Sequence, residues 1–272
     1  MPVLEADRQH IDYLDQGSGP IVLLIHSASS SYRQWRPLID RLASRYRVVA
    51  INLFGYGQTT PWPDGQPQTI RDHAGLVFRL MDEIPGPVHL VGHSLGGVVA
   101  LEVALSRRDR VASLAMYEPN PFHLLRGQGG TTAYECMVAM MDEVEALYRQ
   151  GKREQAARQF IVFWSDAASW DALPDDRRAR FTAAIGASVH EGRALQNNPT
   201  QISEYAGLAV PSLLMYARDT LPAIYEVQQV LAGACPNWQV QVLSEGGHLA
   251  PLVHADQVNA RLEAFLDAQP EP

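Results

Sequence analysis

Residues Val88–Ala100 read VHLVGHSLGGVVA: an apolar run with strand character, a serine set among glycines, then a second apolar run at helical spacing. Inside it lies Gly92-His93-Ser94-Leu95-Gly96, a G-x-S-x-G pattern. A serine lifted on a sharp strand-to-helix turn needs neighbours without side chains, because the turn is strained and the strand and helix approach closely. The helix start that follows aims free N–H groups and the positive end of its dipole at the site, which suits a developing oxyanion. A Gly-rich helix start with a capping serine would show the same five letters. The flanking strand and helix, in register on either side, favour the nucleophile.

Outward from this stretch, short β-branched runs alternate with helical segments, the pattern of a parallel sheet with helices on both faces. HIDYLD alternates like an edge hairpin strand, whereas IVLLIH, RVVAIN, VHLVGH, VASLAMYE, SLLMYA and WQVQVL are continuous enough for strands buried on both faces. Between them, YRQWRPLIDRLASRY, IRDHAGLVFRLMDEI, LGGVVALEVALSRR and ADQVNARLEAFLDA space their apolar residues helically. The alternation breaks between Asn120 and Leu208, where helical patterns occur without a convincing strand. A structureless connection of that length is anomalous in a compact domain, so the reading is a core of 1–119 and 209–272 with a helical cap at 120–208. Within the cap, RGQGGTT offers a hinge, DALPDDRRARF a helix start at Asp171 to Asp176, and QNNPT a break before Ile202.

A serine hydroxyl needs a base, and the base an orienting acid. His248, in LSEGGHLAPLVHADQV, stands on a Gly-rich turn between the last strand and the last helix, where it can reach back over the strand ends; His254 sits beside the helix start and is expected to cap it or face solvent. Two acids follow strands at their carboxyl ends, where catalytic groups collect in open α/β sheets. Asp219 in SLLMYARDTLP is favoured by the order Ser, Asp, His; Glu118 in LAMYEPNP is the alternative, or a pocket residue.

On these motifs, from about Ile11 to Leu266, the chain resembles the α/β-hydrolase superfamily, in particular its esterase-like serine hydrolases with a helical cap. The resemblance implies an eight-stranded, mostly parallel sheet with the nucleophile at Ser94, the acid at Asp219 and the base at His248. It implies an oxyanion hole from the backbone N–H groups of Ala28 and Leu95. The chain departs from the family in IHSASSSYRQW, where Ser27 replaces the usual glycine after His26, and in NLFGYGQT, where Asn52 and Thr59 stand for Asp and Ser. Gly55 and Gly57 remain, so that turn is expected to survive. Serine in place of aspartate disfavours the dehalogenase and epoxide hydrolase chemistry of relatives that form an alkyl ester.

The expected activity is cofactor-independent cleavage of a carboxylic ester or related acyl compound through an acyl-enzyme. Acyl transfer, thioester hydrolysis and carbon–carbon bond cleavage use the same groups, and a ligand-binding protein with a vestigial triad is the alternative of another class. Met137, Met140 and Met141 form one apolar stripe in the cap, and Phe160, Phe163 and Trp164 another; such stripes are first a helix core and second a cavity wall. Side chains expected to touch substrate are Ser27, His93, Phe122, Met140 and Trp164. Ser29, Ser30 and Ser31 offer hydroxyls to a substrate but read first as a solvated loop ahead of a helix.

With 272 residues and 46% hydrophobic content the chain can bury a large core. A formal charge of -8 without a basic stripe disfavours nucleic acid as a partner. No signal peptide or 18-residue apolar span is legible, which reads as a cytoplasmic protein off the membrane. Metal-ligand spacings and nucleotide fingerprints are lacking, so neither metal nor cofactor is expected. Cys136 and Cys235 read as ordinary buried thiols, and the oligomeric state is not legible.

Overall fold

The computed structural model describes residues 3–6, 9–126 and 131–270. One sheet of eight strands has the order β1-β2-β4-β3-β5-β6-β7-β8. The strands are β1 (Val3–Ala6), β2 (Gln9–Gln16), β3 (Ile21–Ile25), β4 (Arg47–Ile51), β5 (Val88–His93), β6 (Val111–Tyr117), β7 (Ser212–Ala217) and β8 (Gln239–Leu243). Pairing is antiparallel for β1–β2 and β2–β4 and parallel from β4 to β8. Seven of these strands are the runs read from sequence. β1 is four residues of mixed polarity, too short to show a period.

Helices α1 (Arg36–Leu42), α2 (Ile70–Asp82) and α3 (Leu95–Ser106) follow β3, β4 and β5. Six more, α4 (His123–Arg126), α5 (Thr132–Arg149), α6 (Arg153–Trp164), α7 (Ala167–Asp171), α8 (Asp175–Gln196) and α9 (Ile202–Ala206), occupy the chain between β6 and β7. Helices α10 (Pro222–Ala234), α11 (Ala250–Val253) and α12 (Ala255–Asp267) complete the order. Apolar residues of α1 and α12 cover one face of the sheet. Those of α2, α3 and α10 cover the other, in a cluster that continues without a break into Met137, Met140, Met141, Phe160 and Leu195 of the inserted helices. The inserted segment therefore shares the core of the sheet rather than closing one of its own.

Local chemistry explains the boundaries. Thr69 and Asp72 make a reciprocal capping box at the start of α2. Pro174 sets the start of α8 inside the stretch read as a helix start, and α8 ends at Gln196, within the QNNPT break. The proposed hinge in RGQGGTT falls mostly on residues 127–130, outside the described residues.

Three readings are corrected. HIDYLD, expected at the edge, is β2, which pairs with β4 on one side and in a hairpin with the edge strand β1 on the other. WQVQVL was expected to be buried on both faces, but β8 is an edge strand with one neighbour, where Val240 and Val242 are exposed and Leu243 alone is buried. Of the two thiols, Cys235 is buried and Cys136 is exposed on α5. Helical period alone does not tell the inward from the outward side of a stripe at its margin. Among the described residues no helix is long and apolar enough to cross a membrane.

Parallel pairing brings the carboxyl ends of β5, β6, β7 and β8 side by side, with His93 opposite Tyr117 and Ala217 opposite Leu243. The segments that follow these strands carry Ser94, Glu118, Asp219 and His248. Sheet topology thus gathers residues spread over 155 positions into one place.

Candidate active site

Ser94 occupies the turn between β5 and α3 with φ 55° and ψ −121°, a conformation that L-residues rarely adopt. Glycine is required beside it for space. A Cβ on Gly92 would lie 2.4 Å from the Gly96 carbonyl oxygen, and one on Gly96 would lie 2.3 Å from that of Ile25. The Ser94 N–H donates to the Tyr117 carbonyl at 3.0 Å, which ties the turn to β6.

The Ser94 hydroxyl meets His248 Nε2 at 2.9 Å, and His248 Nδ1 meets Glu118 Oε2 at 2.8 Å. A carboxylate at Nδ1 fixes the proton there, leaving Nε2 to accept from the serine. Glu118 is fully buried and strained at φ 43°. It also accepts from the Ala217 N–H at 2.9 Å and from Thr220 Oγ1 at 2.8 Å, so both of its oxygens are held.

This geometry corrects the favoured acid. Asp219 is exposed and spends its two oxygens on the N–H groups of Gly246 and Gly247, at 3.0 and 2.9 Å. It braces the loop that carries the histidine, while Glu118, one strand nearer Ser94 in the sheet, takes the place at the ring. Tyr117 adds a second brace from its hydroxyl to the Gly247 carbonyl, at 2.8 Å.

The expectation for His93 is also corrected. Fully buried, it donates from Nε2 to the His248 carbonyl at 2.9 Å and accepts at Nδ1 from Gln34 Nε2 at 3.3 Å. Burial, with the adjacent His248, holds its pKa well below the ordinary histidine range, so it stays neutral. Gln34 Oε1 accepts from both the N–H and the hydroxyl of Ser27, at 3.1 and 3.0 Å. One polar chain therefore runs from the loop after β3 through Gln34 and His93 to the loop that carries His248.

The same loop is fixed from its other side. His26, its pKa lowered by burial to about 4, donates to the Ser27 carbonyl and accepts the Leu53 N–H. The Ser29 N–H donates to the Tyr56 hydroxyl at 2.8 Å, with Ser29 itself at φ 52°. Ala28 lies between these anchored neighbours and faces the cavity. Asn52 ties the segment after β4 to its neighbours: Oδ1 accepts from the Tyr32 N–H, while Nδ2 donates to Asp12. The turn of Gly55 and Gly57 does survive, with Thr59 bonded to the Asn52 carbonyl.

A cavity of about 610 Å³ opens onto Ser94 and His248. Phe122, Met137, Met141, Phe160 and Trp164 form much of its wall, and Ser27, Ser29 and Ser30 line it from the loop after β3. Phe122, Trp164 and Ser27, expected to touch substrate, are among its lining residues. Met140 is not: it is buried in the core on a flank of α5 turned from the cavity, while Met137 and Met141, four residues apart, face inward. The Trp164 ring lies 4.8 Å from the His248 ring at 31° to it, which shields the imidazole from above. Ser31 caps the 3₁₀ turn at Tyr32–Trp35 through its side chain.

Gln34, Tyr56, Ser188 and Glu191 escaped the sequence reading. For the last two the signal is present: Ser188 and Glu191 stand at i and i+3 of α8 with Leu195 at i+7, two polar groups on the spacing of a buried face.

The sequence profile of the alpha/beta hydrolase family matches residues 22–261. Among relatives, the dihydrolipoyllysine-residue acetyltransferase component of the acetoin cleaving system of Cupriavidus necator is 28% identical, covering 96% of this chain and 68% of that protein. A 2-hydroxy-6-oxononadienedioate/2-hydroxy-6-oxononatrienedioate hydrolase of Cupriavidus pinatubonensis is 27% identical over 93% of this chain and 89% of its own. Among solved structures, the enol-lactonase of Burkholderia xenovorans superposes with a TM-score of 0.79 at 21% identity, covering 98% of this chain and all of that one.

Proposed function

The chain belongs to the alpha/beta hydrolase family, and from that premise we propose that it cleaves carboxylic esters of apolar acids through an acyl-enzyme on Ser94. The carrying observation is the hydrogen-bonded series Ser94, His248, Glu118, at 2.9 and 2.8 Å, at the base of a largely apolar cavity.

In this reading His248 takes the Ser94 proton at Nε2 as Oγ attacks the acyl carbon. Glu118 keeps the imidazole in the required tautomer and stabilises the imidazolium that forms. The backbone N–H groups of Ala28 and Leu95 receive the oxyanion, Leu95 from the first position of α3. His248 returns the proton to the departing alcohol, then activates the water that releases the acid. Residues 120–208 act as the cap that sizes the acyl pocket, and the unpaired state of both cysteines fits a reducing, cytoplasmic setting.

The test is hydrolysis of a chain-length series of p-nitrophenyl esters by the wild type and Ser94→Ala, with intact-mass detection of a phosphonate adduct. Turnover and one adduct in the wild type, with neither in Ser94→Ala, support the reading. Turnover that persists in Ser94→Ala overturns it. Carbon–carbon bond cleavage is a second reading, favoured by the similarity to the oxononadienedioate hydrolase. Turnover of a 2-hydroxy-6-oxo-dienoate with inert p-nitrophenyl esters would select it.

A further inference from the structure

Glu191 lies on α8, is 1% exposed, and lines the same cavity as Ser94 and His248. Its Oε2 accepts from the Tyr56 hydroxyl at 2.9 Å. That hydroxyl in turn accepts the Ser29 N–H, and the Ser188 hydroxyl bonds Ser29 Oγ at 2.8 Å while lying 3.3 Å from Tyr56. In this knot, which joins the inserted helices to the loop after β3, Glu191 Oε1 alone has no hydrogen-bond partner. A buried carboxyl oxygen without a partner is costly to keep.

The geometry points to Glu191 as the binding point for a neutral oxygen acceptor, a ketone, ester carbonyl or hydroxyl oxygen, carried on the apolar chain of the substrate. This rests on the cavity being the acyl site proposed above. Burial pushes the Glu191 carboxyl up to about 8, opposed only by the Tyr56 hydrogen bond, so it is neutral at pH 7. Since Oε2 already accepts from Tyr56, the acid proton belongs on Oε1, a donor aimed at nothing in the protein. An acceptor on the ligand completes it. An ammonium group is disfavoured by a wall built of Phe122, Met137, Met141, Phe160 and Trp164, where Glu191 would be its single counter-charge. A site built to hydrogen-bond a polar group discriminates sharply against analogues that lack it.

The experiment compares p-nitrophenyl heptanoate with its 3-oxo, 4-oxo, 5-oxo and 6-oxo analogues and with 7-aminoheptanoate and pimelate monoesters. Substrates are run on the wild type, Glu191→Gln and Glu191→Met, reading kcat and KM separately. The expected result is one oxo position favoured over heptanoate by about 10- to 100-fold in kcat/KM. Glu191→Gln, which keeps a donor in place, should retain that preference, and Glu191→Met should bring the ratio close to one. Wild-type preference for no oxo position overturns the proposal even if neither variant folds. So does a preference for the amino ester, or an oxo or carboxylate preference that survives Glu191→Met. Ser94-dependent hydrolysis without oxo preference would leave the esterase reading standing and remove this one. If no ester is turned over, the esterase reading fails, and calorimetric binding of methyl oxoheptanoates against methyl heptanoate to Ser94→Ala decides this proposal by the same ratio.

Discussion

Glu118 and Asp219 both stand at strand ends, yet their surroundings assign them different work. Glu118 is fully buried against His248, and Asp219 is exposed and bonded to two backbone N–H groups. Glu118→Gln keeps the shape but offers the wrong partner to Nδ1–H, and its kcat is expected to fall by roughly 10³- to 10⁴-fold. Asp219→Asn retains an acceptor on the loop and should cost less than about 10-fold, since exposed hydrogen bonds contribute little. Parallel kinetics on one ester read both; the reverse ranking would return the triad acid to Asp219. Glu191 makes a prediction about stability. Its carboxyl is raised in the folded state to about 8 from an ordinary 4.5, so both states are protonated below pH 4.5 and the native state resists ionisation above it. Its favourable contribution is present in full below pH 4.5, fades as pH rises, and is gone above about 8. Glu191→Gln cannot ionise, so urea midpoints should show it more stable than the wild type by a few kcal/mol at pH 8.5, on the order set by the shift, and alike at pH 4.5.

At the scale of elements, the turn at Ser94 and the loops facing it are held by close packing and by polar relays. Gly96→Ala would drive a Cβ to 2.3 Å from the Ile25 carbonyl, where backbone rather than a mobile side chain must yield. The expected loss is on the order of 2 kcal/mol or more, with phosphonate labelling of Ser94 lost alongside, as thermal melts and intact mass will show. Gln34→Leu cuts the relay between the Ser27 loop and His93 and strands buried donors at Ser27. It should lower kcat more than it raises KM and cost about 1–3 kcal/mol of stability. Both consequences follow from contacts between segments far apart in the chain. The glycines of VHLVGHSLGG announce their turn because a side chain is forbidden there whatever surrounds it; Gln34 announces nothing, because its partners at Ser27 and His93 meet it only after folding.

The molecule as a whole has a sheet with two covered faces, and the inserted helices belong to the core of one of them. The two thiols make this testable. Cys136 is exposed and Cys235 is buried, its pKa raised by burial to about 11. Iodoacetamide should modify Cys136 in native protein within minutes and Cys235 only at the rate of unfolding; simultaneous labelling would show that α10 opens independently. The amino-acid sequence by itself determined the α/β alternation, the run of helices between β6 and β7, and the positions of Ser94 and His248 just after β5 and β8. Those features rest on local rules, namely period, turn chemistry and the steric demand of a strained elbow. Tertiary structure alone decided that Glu118 rather than Asp219 meets His248, and that His93 and Gln34 hydrogen-bond the His248 and Ser27 loops and are not among the residues lining the cavity. It also turned Met137 and Met141, not Met140, to the cavity, and made β8 an exposed edge. Each of these depends on which of two chemically equal side chains ends nearer a third, a matter of ångströms set by sheet order and helix rotation, which composition and spacing along the chain do not encode.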